Sequence, residues 1–387
     1  MPASQPLVVY GPASHRYDFG ERHPLTPRRF GPGIDLLRAV GATRFDEPRE
    51  AGDDEIARLH DRPYIATVRM LSNYPDAGEM LGFSSHGDDP PFEGMHEAAA
   101  AVAGGSIDAV GRILDGTLEH AFHPGGGLHH AMPGHSSGFC IYNDVALAIA
   151  RARDAGERVL YVDLDVHHGD GVEAMFRGDA GVMTISFHES GLYLFPGTGF
   201  VEECGDPGQH GTAVNVPLEP ATSDGSWLAA VELVVPPLAE AFRPTLLVTQ
   251  HGSDAHLLDP LAHLHLTTAA MGRAAGLMHR IAHEHAGGRW LATGGGGYDV
   301  YRVVPRVWAL VWLAQAHLAV PEETPAGWRE RWADEAAIHG QAPPPERMLD
   351  PSEWVPPETW QVAEVNAATA RAALDCSLRS LERASGG

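Results

Sequence analysis

Short runs that are apolar on both sides alternate with helical stretches along this chain, and that alternation constrains the fold more than any other feature. The runs lie at 7–10, 158–163, 182–187, 245–250 and 290–293. A strand buried on both faces belongs in a parallel sheet covered by helices. Helical patterns at 97–115, 143–155, 227–242, 267–285 and 302–317 supply the cover. The pattern predicts an α/β fold with a central, mostly parallel sheet and helices on both faces. In such sheets ligands bind beyond the carboxyl ends of the strands, so the polar residues directly after each strand are the candidates for function.

At 387 residues and 44% hydrophobic content the chain can bury a large core. Its 27 Lys+Arg against 51 Asp+Glu give a net charge of −24 at pH 7, which repels phosphate backbones and attracts cationic substrates. Nucleic acid is therefore not an expected partner. Only Cys140, Cys204 and Cys376 are present, too few for a disulfide framework or a cysteine zinc module, so a reducing, cytoplasmic setting is expected. Neither a basic-then-apolar leader nor an apolar run of the ~20 residues needed to span a bilayer is read, and no membrane association is predicted. After residue 320 proline and tryptophan become frequent, with Pro343, Pro344 and Pro345 followed by Pro351, Pro356 and Pro357. We read residues 1–320 as the functional domain and 321–387 as an extension that wraps back over it, ending in a helix at 358–383.

Four clusters follow the predicted strands or precede the helices. DLDVHHGDG at 163–171 packs three Asp and two His into nine residues, with Asp163 and Asp165 on one side if the strand continues. Adjacent carboxylates repel unless a cation accompanies them, so metal binding accounts for this stretch better than helix capping does. GGGLHHA at 125–131 brings tandem His to the same rim, but it has neither the Lys-Ser/Thr of a P-loop nor dinucleotide spacing. QHGSDAHLLDP at 250–260 adds Asp254 and Asp259, either of which could instead cap a helix. GGGGYD at 294–299 places Tyr298 on a tight or mobile loop, where it either acts on a ligand or packs. One His and two Asp make an open, catalytic type of metal site. A tandem-His base and a Tyr oxyanion donor beside such a metal describe amide hydrolysis.

At these residues the sequence resembles the histone deacetylase superfamily, in particular its bacterial acetoin-utilisation branch. The likeness runs from His23-Pro24 to Trp308 and includes GGGLHHA, SGFCIYND at 137–144, DLDVHHGDG, FPGTG at 195–199 and GGGGYD. It implies the arginase/deacetylase fold and hydrolysis of acylated lysine in proteins, an acyl-CoA synthetase being one such substrate. It further implies Zn²⁺, with Fe²⁺ as the alternative, bound by Asp165, His167 and Asp254. The resemblance makes His130 the general base and acid, His129 its electrostatic partner, and Tyr298 the residue that polarises the carbonyl. Asp163 then orients His129, and Asp170 orients His130. The substrate stem passes Gly138, Phe139, Phe195 and Leu261, with Asp88 at the rim, and a structural K⁺ sits among Asp163, Asp165, His167, Ser186 and Phe187.

Several residues depart from the commonest pattern of the family. His251 and Ser253 replace Cys and Ala before Asp254, His256 follows it, and Asp89 stands where many relatives carry Cys. An acetylpolyamine amidohydrolase is the alternative enzyme, although Leu261 offers no carboxylate to a second ammonium. A catalytically silent acyl-lysine binding module is the alternative from another class. The motifs leave the acyl group and the oligomeric state open. His263, His265, His279, His283 and His285 are read as surface histidines, because no carboxylates match their spacing.

Overall fold

The computed structural model describes residues 5–81, 83, 87–205 and 212–385. Its strands are β1 (Leu7–Val9), β2 (Phe45–Asp46), β3 (His120–His123), β4 (Val159–Asp163), β5 (Val182–Glu189), β6 (Ala213–Leu218), β7 (Leu246–Gln250) and β8 (Trp290–Thr293). They form one eight-stranded sheet in the order β2-β1-β3-β8-β7-β4-β5-β6. Every pairing is parallel. Strand β4 reads VLYVD and β7 LLVTQ, and both are buried along their whole length, as a sheet covered on both faces demands.

The helices are α1 (Phe30–Ala39), α2 (Asp53–Ile56), α3 (Arg62–Asn73), α4 (Met95–Leu114), α5 (Asp144–Asp154), α6 (Asp170–Phe176), α7 (Asp224–Phe242), α8 (Thr268–His285), α9 (Val304–Gln315), α10 (Ala326–Ile338) and α11 (Trp360–Ser385). One buried cluster joins Leu160, Val162 and Leu247 of the sheet to Trp227, Met278 and Trp308 of α7, α8 and α9. A second holds Tyr161 and Val248 against Val110 of α4 and Ile149 of α5 on the other face. Helix α7 is long and apolar enough to cross a membrane by length and composition, but Leu228, Val231, Val235 and Leu238 are spent on the core.

The sheet register lines up the strand ends that matter. His123 pairs with Thr293, Thr293 with Gln250, Gln250 with Asp163, and Asp163 with Ser186. The loops leaving β3, β4, β7 and β8 therefore emerge side by side.

The structure differs from the sequence reading in places. The sequence reading does not place β2, β3 and β6 or the helices α1, α2, α3, α6 and α10. The segment after residue 320 is not uniformly extended, since α10 buries Trp328, Trp332 and Ala336 at helical spacing. Strand β4 stops at Asp163, so Asp165 belongs to the loop and does not share a strand face with Asp163. His263 and His265 precede α8, and His263 Nδ1 lies 2.9 Å from Glu189.

Candidate active site

Two side chains of the SGFCIYND stretch shape the His-bearing loop. Asn143 caps α5 by accepting from Ala146 N at 2.9 Å, and its amide donates to the carbonyls of His129 and Ala131. Asp144 accepts from Leu128 N at 2.8 Å and from Ser106 at 2.6 Å. The tandem imidazoles are thus fixed from behind.

Each imidazole has its own carboxylate. His129 Nδ1 lies 2.7 Å from Asp163 Oδ2, and His130 Nδ1 lies 2.7 Å from Asp170 Oδ1. Their rings are 4.0 Å apart. Burial disfavours charge on both, but the carboxylates of Asp163 and Asp165 hold His129 up to about 9. His130 is pushed down to about 4 by burial and by the positive His129 beside it. Near neutrality one ring is a cation and the other a free base, a division set by environment.

Asp165, His167 and Asp254 each offer a ligand atom, all within 4.8 Å of one another. His167 Nδ1 is 3.1 Å from Asp165 and 3.2 Å from Asp254. Asp165 and Asp254 are 1% and 0% exposed, whereas His167 keeps 9%, so the group opens on its His side. Burial and the negative Asp165 raise Asp254 to about 6, and the two carboxylates hold His167 up to about 10 against its burial. Two buried carboxylates in contact require positive charge, which a divalent ion supplies better than one proton. The backbone makes room for it: a Cβ on Gly296 would lie 1.9 Å from Asp254 Oδ2, so glycine alone allows this approach. The donor set fits a Zn²⁺ or Fe²⁺ ion.

A cavity of about 220 Å³ leads to this group. Its walls include Leu25, Gly138, Phe139, Leu194, Phe195 and Leu261; His129, His130, Asp165, His167 and Tyr298 face it more deeply. Exposed Asp88 lies at its mouth. A Cβ on Gly138 would meet His130 at 2.4 Å, which explains a glycine in that wall. Every tunnel residue expected from the sequence lines one cavity, while Asp163 and Asp170 stand behind the imidazoles. Ser186 faces Asp163 across the β4–β5 pairing, and its Oγ lies 2.8 Å from His188.

Two site residues, Gln250 and Arg29, escaped the sequence reading. Gln250 donates to Asp165 Oδ2 at 2.7 Å and accepts from Gly252 N, bracing the metal-side carboxylate. Buried Arg29 donates to Gly295 O at 2.7 Å, holding the glycine loop from far away in sequence. Asp259, offered by the sequence as a further carboxylate at this rim or a helix cap, accepts from Tyr298 N at 2.9 Å and Leu261 N at 3.0 Å, so it positions those residues rather than binding metal. Two of the unusual neighbours of Asp254 have structural partners: His251 Nε2 lies 2.8 Å from Thr249, and His256 lies 2.8 Å from Asp350, whereas Ser253 Oγ is buried without one among the described residues.

The histone deacetylase domain family matches residues 23–315 of this chain. The acetoin utilization protein AcuC of Bacillus subtilis (strain 168) is 39% identical over 379 residues, which is 95% of this chain and 96% of that protein. The AcuC protein of Staphylococcus xylosus is 37% identical over 331 residues, covering 84% and 85% of the two chains. The crystal structure of an HDAC homolog complexed with SAHA aligns with a TM-score of 0.80 at 26% identity, over 95% of this chain and 100% of that one.

Proposed function

Because the chain belongs to the histone deacetylase family and is a deacetylase by that membership, we propose that it removes acetyl or other short acyl groups from lysine side chains of proteins, such as an acyl-CoA synthetase. The observation that carries this reading is the apolar passage ending on two buried His–Asp pairs beside Asp165, His167 and Asp254. An uncharged acyl-lysine stem fits such walls, and its amide arrives where the polar groups converge.

Asp165, His167 and Asp254 would hold Zn²⁺, with Fe²⁺ the competitor. When bound there, such an ion would supply Lewis-acid activation of water and of the acyl carbonyl. Neutral His130 takes the proton from the attacking water, Asp170 steadies the imidazolium so formed, and the proton passes to the departing lysine amine. His129, held positive by Asp163, stabilises negative charge developing beside it. Burial and nearby carboxylates push the Tyr298 hydroxyl well above its ordinary range, so it stays protonated and donates to the forming oxyanion. A structural K⁺ among Asp163, Asp165, His167, Ser186 and Phe187 is supported by the register that sets Asp163 beside Ser186. The free thiols of Cys140, Cys204 and Cys376 support a cytoplasmic site of action.

The test compares kcat/KM for an acetyl-lysine peptide, acetylspermidine and acetylputrescine. Leu261 lines the passage, so a second ammonium there would lose hydration without gaining a carboxylate. We expect the peptide to be preferred, and Leu261→Glu to shift the ratio toward the polyamines. A wild-type preference for acetylspermidine would replace this reading with the acetylpolyamine amidohydrolase.

A further inference from the structure

At the amino end of β3, away from the catalytic loops at the strands' carboxyl ends, four histidines from three elements converge. His120 opens β3, His279 and His283 stand one turn apart on α8, and His317 follows the end of α9. Each offers a ring nitrogen, and these nitrogens lie within 4.8 Å of one another. The rings are packed together, with centroids from 4.4 Å (His279 and His317) to 5.6 Å (His120 and His317) apart. His279 and His283, read from sequence as ordinary surface residues, therefore share a cluster that only the tertiary fold creates.

Two observations make this cluster a ligand site rather than a chance stack. His120 is 4% exposed, and its Nδ1 lies 2.7 Å from the Gln315 carbonyl, which fixes that nitrogen as the donor. Its other nitrogen, Nε2, is buried without a hydrogen-bond partner, as is Nε2 of His279. An imidazole anchored through one nitrogen to a carbonyl, with its second bare, is the arrangement metal-binding histidines adopt. His317 itself follows α9 in the left-handed backbone, φ of 57°, that commonly ends a helix. Finally, the cluster lies where α8 and α9 both end, so the carbonyl ends of two helices favour a cation.

Burial favours the neutral form of His120, His279 and His283. Burial and mutual repulsion push His120 and His279 down to about 4; Arg280 adds to this at His279, while Glu119 opposes it at His120 and His283. Their lone pairs are free near neutrality. Four imidazoles and no carboxylate select a nitrogen-preferring divalent ion such as Zn²⁺, Ni²⁺ or Cu²⁺ over Mg²⁺ or Ca²⁺. Four protein ligands also close the coordination shell, the mark of a structural site.

We propose that His120, His279, His283 and His317 form a second metal site, distinct from the catalytic one, in which Zn²⁺ ties the start of β3 to the ends of α8 and α9. Small rotations of exposed His283 and His317 bring their nitrogens into tetrahedral reach. The site has no part in hydrolysis, so its loss leaves the acyl-lysine chemistry untouched.

The experiment strips the full-length protein with a chelator, adds Zn²⁺, desalts it, and measures bound metal and melting temperature. Wild type is expected to retain two equivalents. Asp254→Ala is expected to retain one, with Zn²⁺ still raising its melting temperature. His317→Gly suits this backbone conformation, and His279→Ala/His283→Ala alters one helix face. Both should retain one equivalent, turn over an acetyl-lysine peptide as wild type does, and, combined with Asp254→Ala, abolish the thermal response to Zn²⁺. One equivalent in wild type, or a second equivalent that survives both histidine variants, would overturn the proposal. Excess binding to the acidic surface appears as the latter result.

Discussion

Tyr298 illustrates what one hydroxyl contributes when its loop is held in place. Asp259 accepts from its backbone N, and the ring stands 6.0 Å from that of Phe139 across the passage. Tyr298→Phe is expected to fold and bind metal normally but to lose on the order of 10² to 10³ in kcat, the range for a single oxyanion donor. Metal analysis beside steady-state kinetics checks this; an unchanged kcat would assign Tyr298 to packing. The chemistry-bearing residues could be read from sequence because they stand in compact motifs just after strands. Gln250 and Arg29 could not, and Asp259 was visible only as a carboxylate without its role, since each acts by bracing a partner that only the fold brings near. Gln250 did carry one signal, as the polar end of an otherwise apolar strand.

Between elements, Asp350 is the joint that ties the C-terminal segment to the catalytic loops. It pairs with Arg306 of α9 at 2.7 Å and His256 at 2.8 Å, and it accepts from Thr268 N at 2.9 Å. Both charged side chains are 1% exposed. The contacts with His256 and Arg306 hold Asp350 well below the usual carboxylate range despite its burial, so the latch survives mild acid. Asp350→Ala leaves Arg306 buried without its carboxylate and is expected to cost about 3–5 kcal/mol, read by urea unfolding. A loss within the range of surface substitutions, about 0.5 kcal/mol, would contradict the latch. No local pattern announces this contact, because its partners lie far apart in sequence. The missed strands have local reasons too. β3 reads HAFH, polar at both ends, β6 reads AVNVPL with Asn and Pro inside, and β2 is two residues long. The predicted strands were legible because continuous apolar runs leave parallel β-structure as the best burial.

For the whole molecule, charge and protonation govern when the site is ready. Burial raises Asp89 of the rim loop to about 7, so the folded protein holds a proton there that the unfolded chain releases at lower pH. Stability from this group therefore falls as pH rises from the ordinary carboxylate range through about 7. Asp89→Asn should flatten that decline and raise the melting temperature above neutrality, with little difference in acid. A melting-temperature series over pH checks it, and parallel curves for the two proteins would contradict it. The metal centre has its own linkage: uptake must displace the proton that Asp165 and Asp254 hold on His167, so metal binding weakens as pH falls. The central claim is that hydrolysis of acyl-lysine depends on an ion held by Asp165, His167 and Asp254. Its most direct test measures acetate release from an acetyl-lysine peptide while Zn²⁺ is returned to chelator-stripped His317→Gly protein, whose catalytic trio is intact. Turnover rising in proportion to bound metal up to one equivalent is the predicted result, and full turnover in the stripped protein would contradict the account.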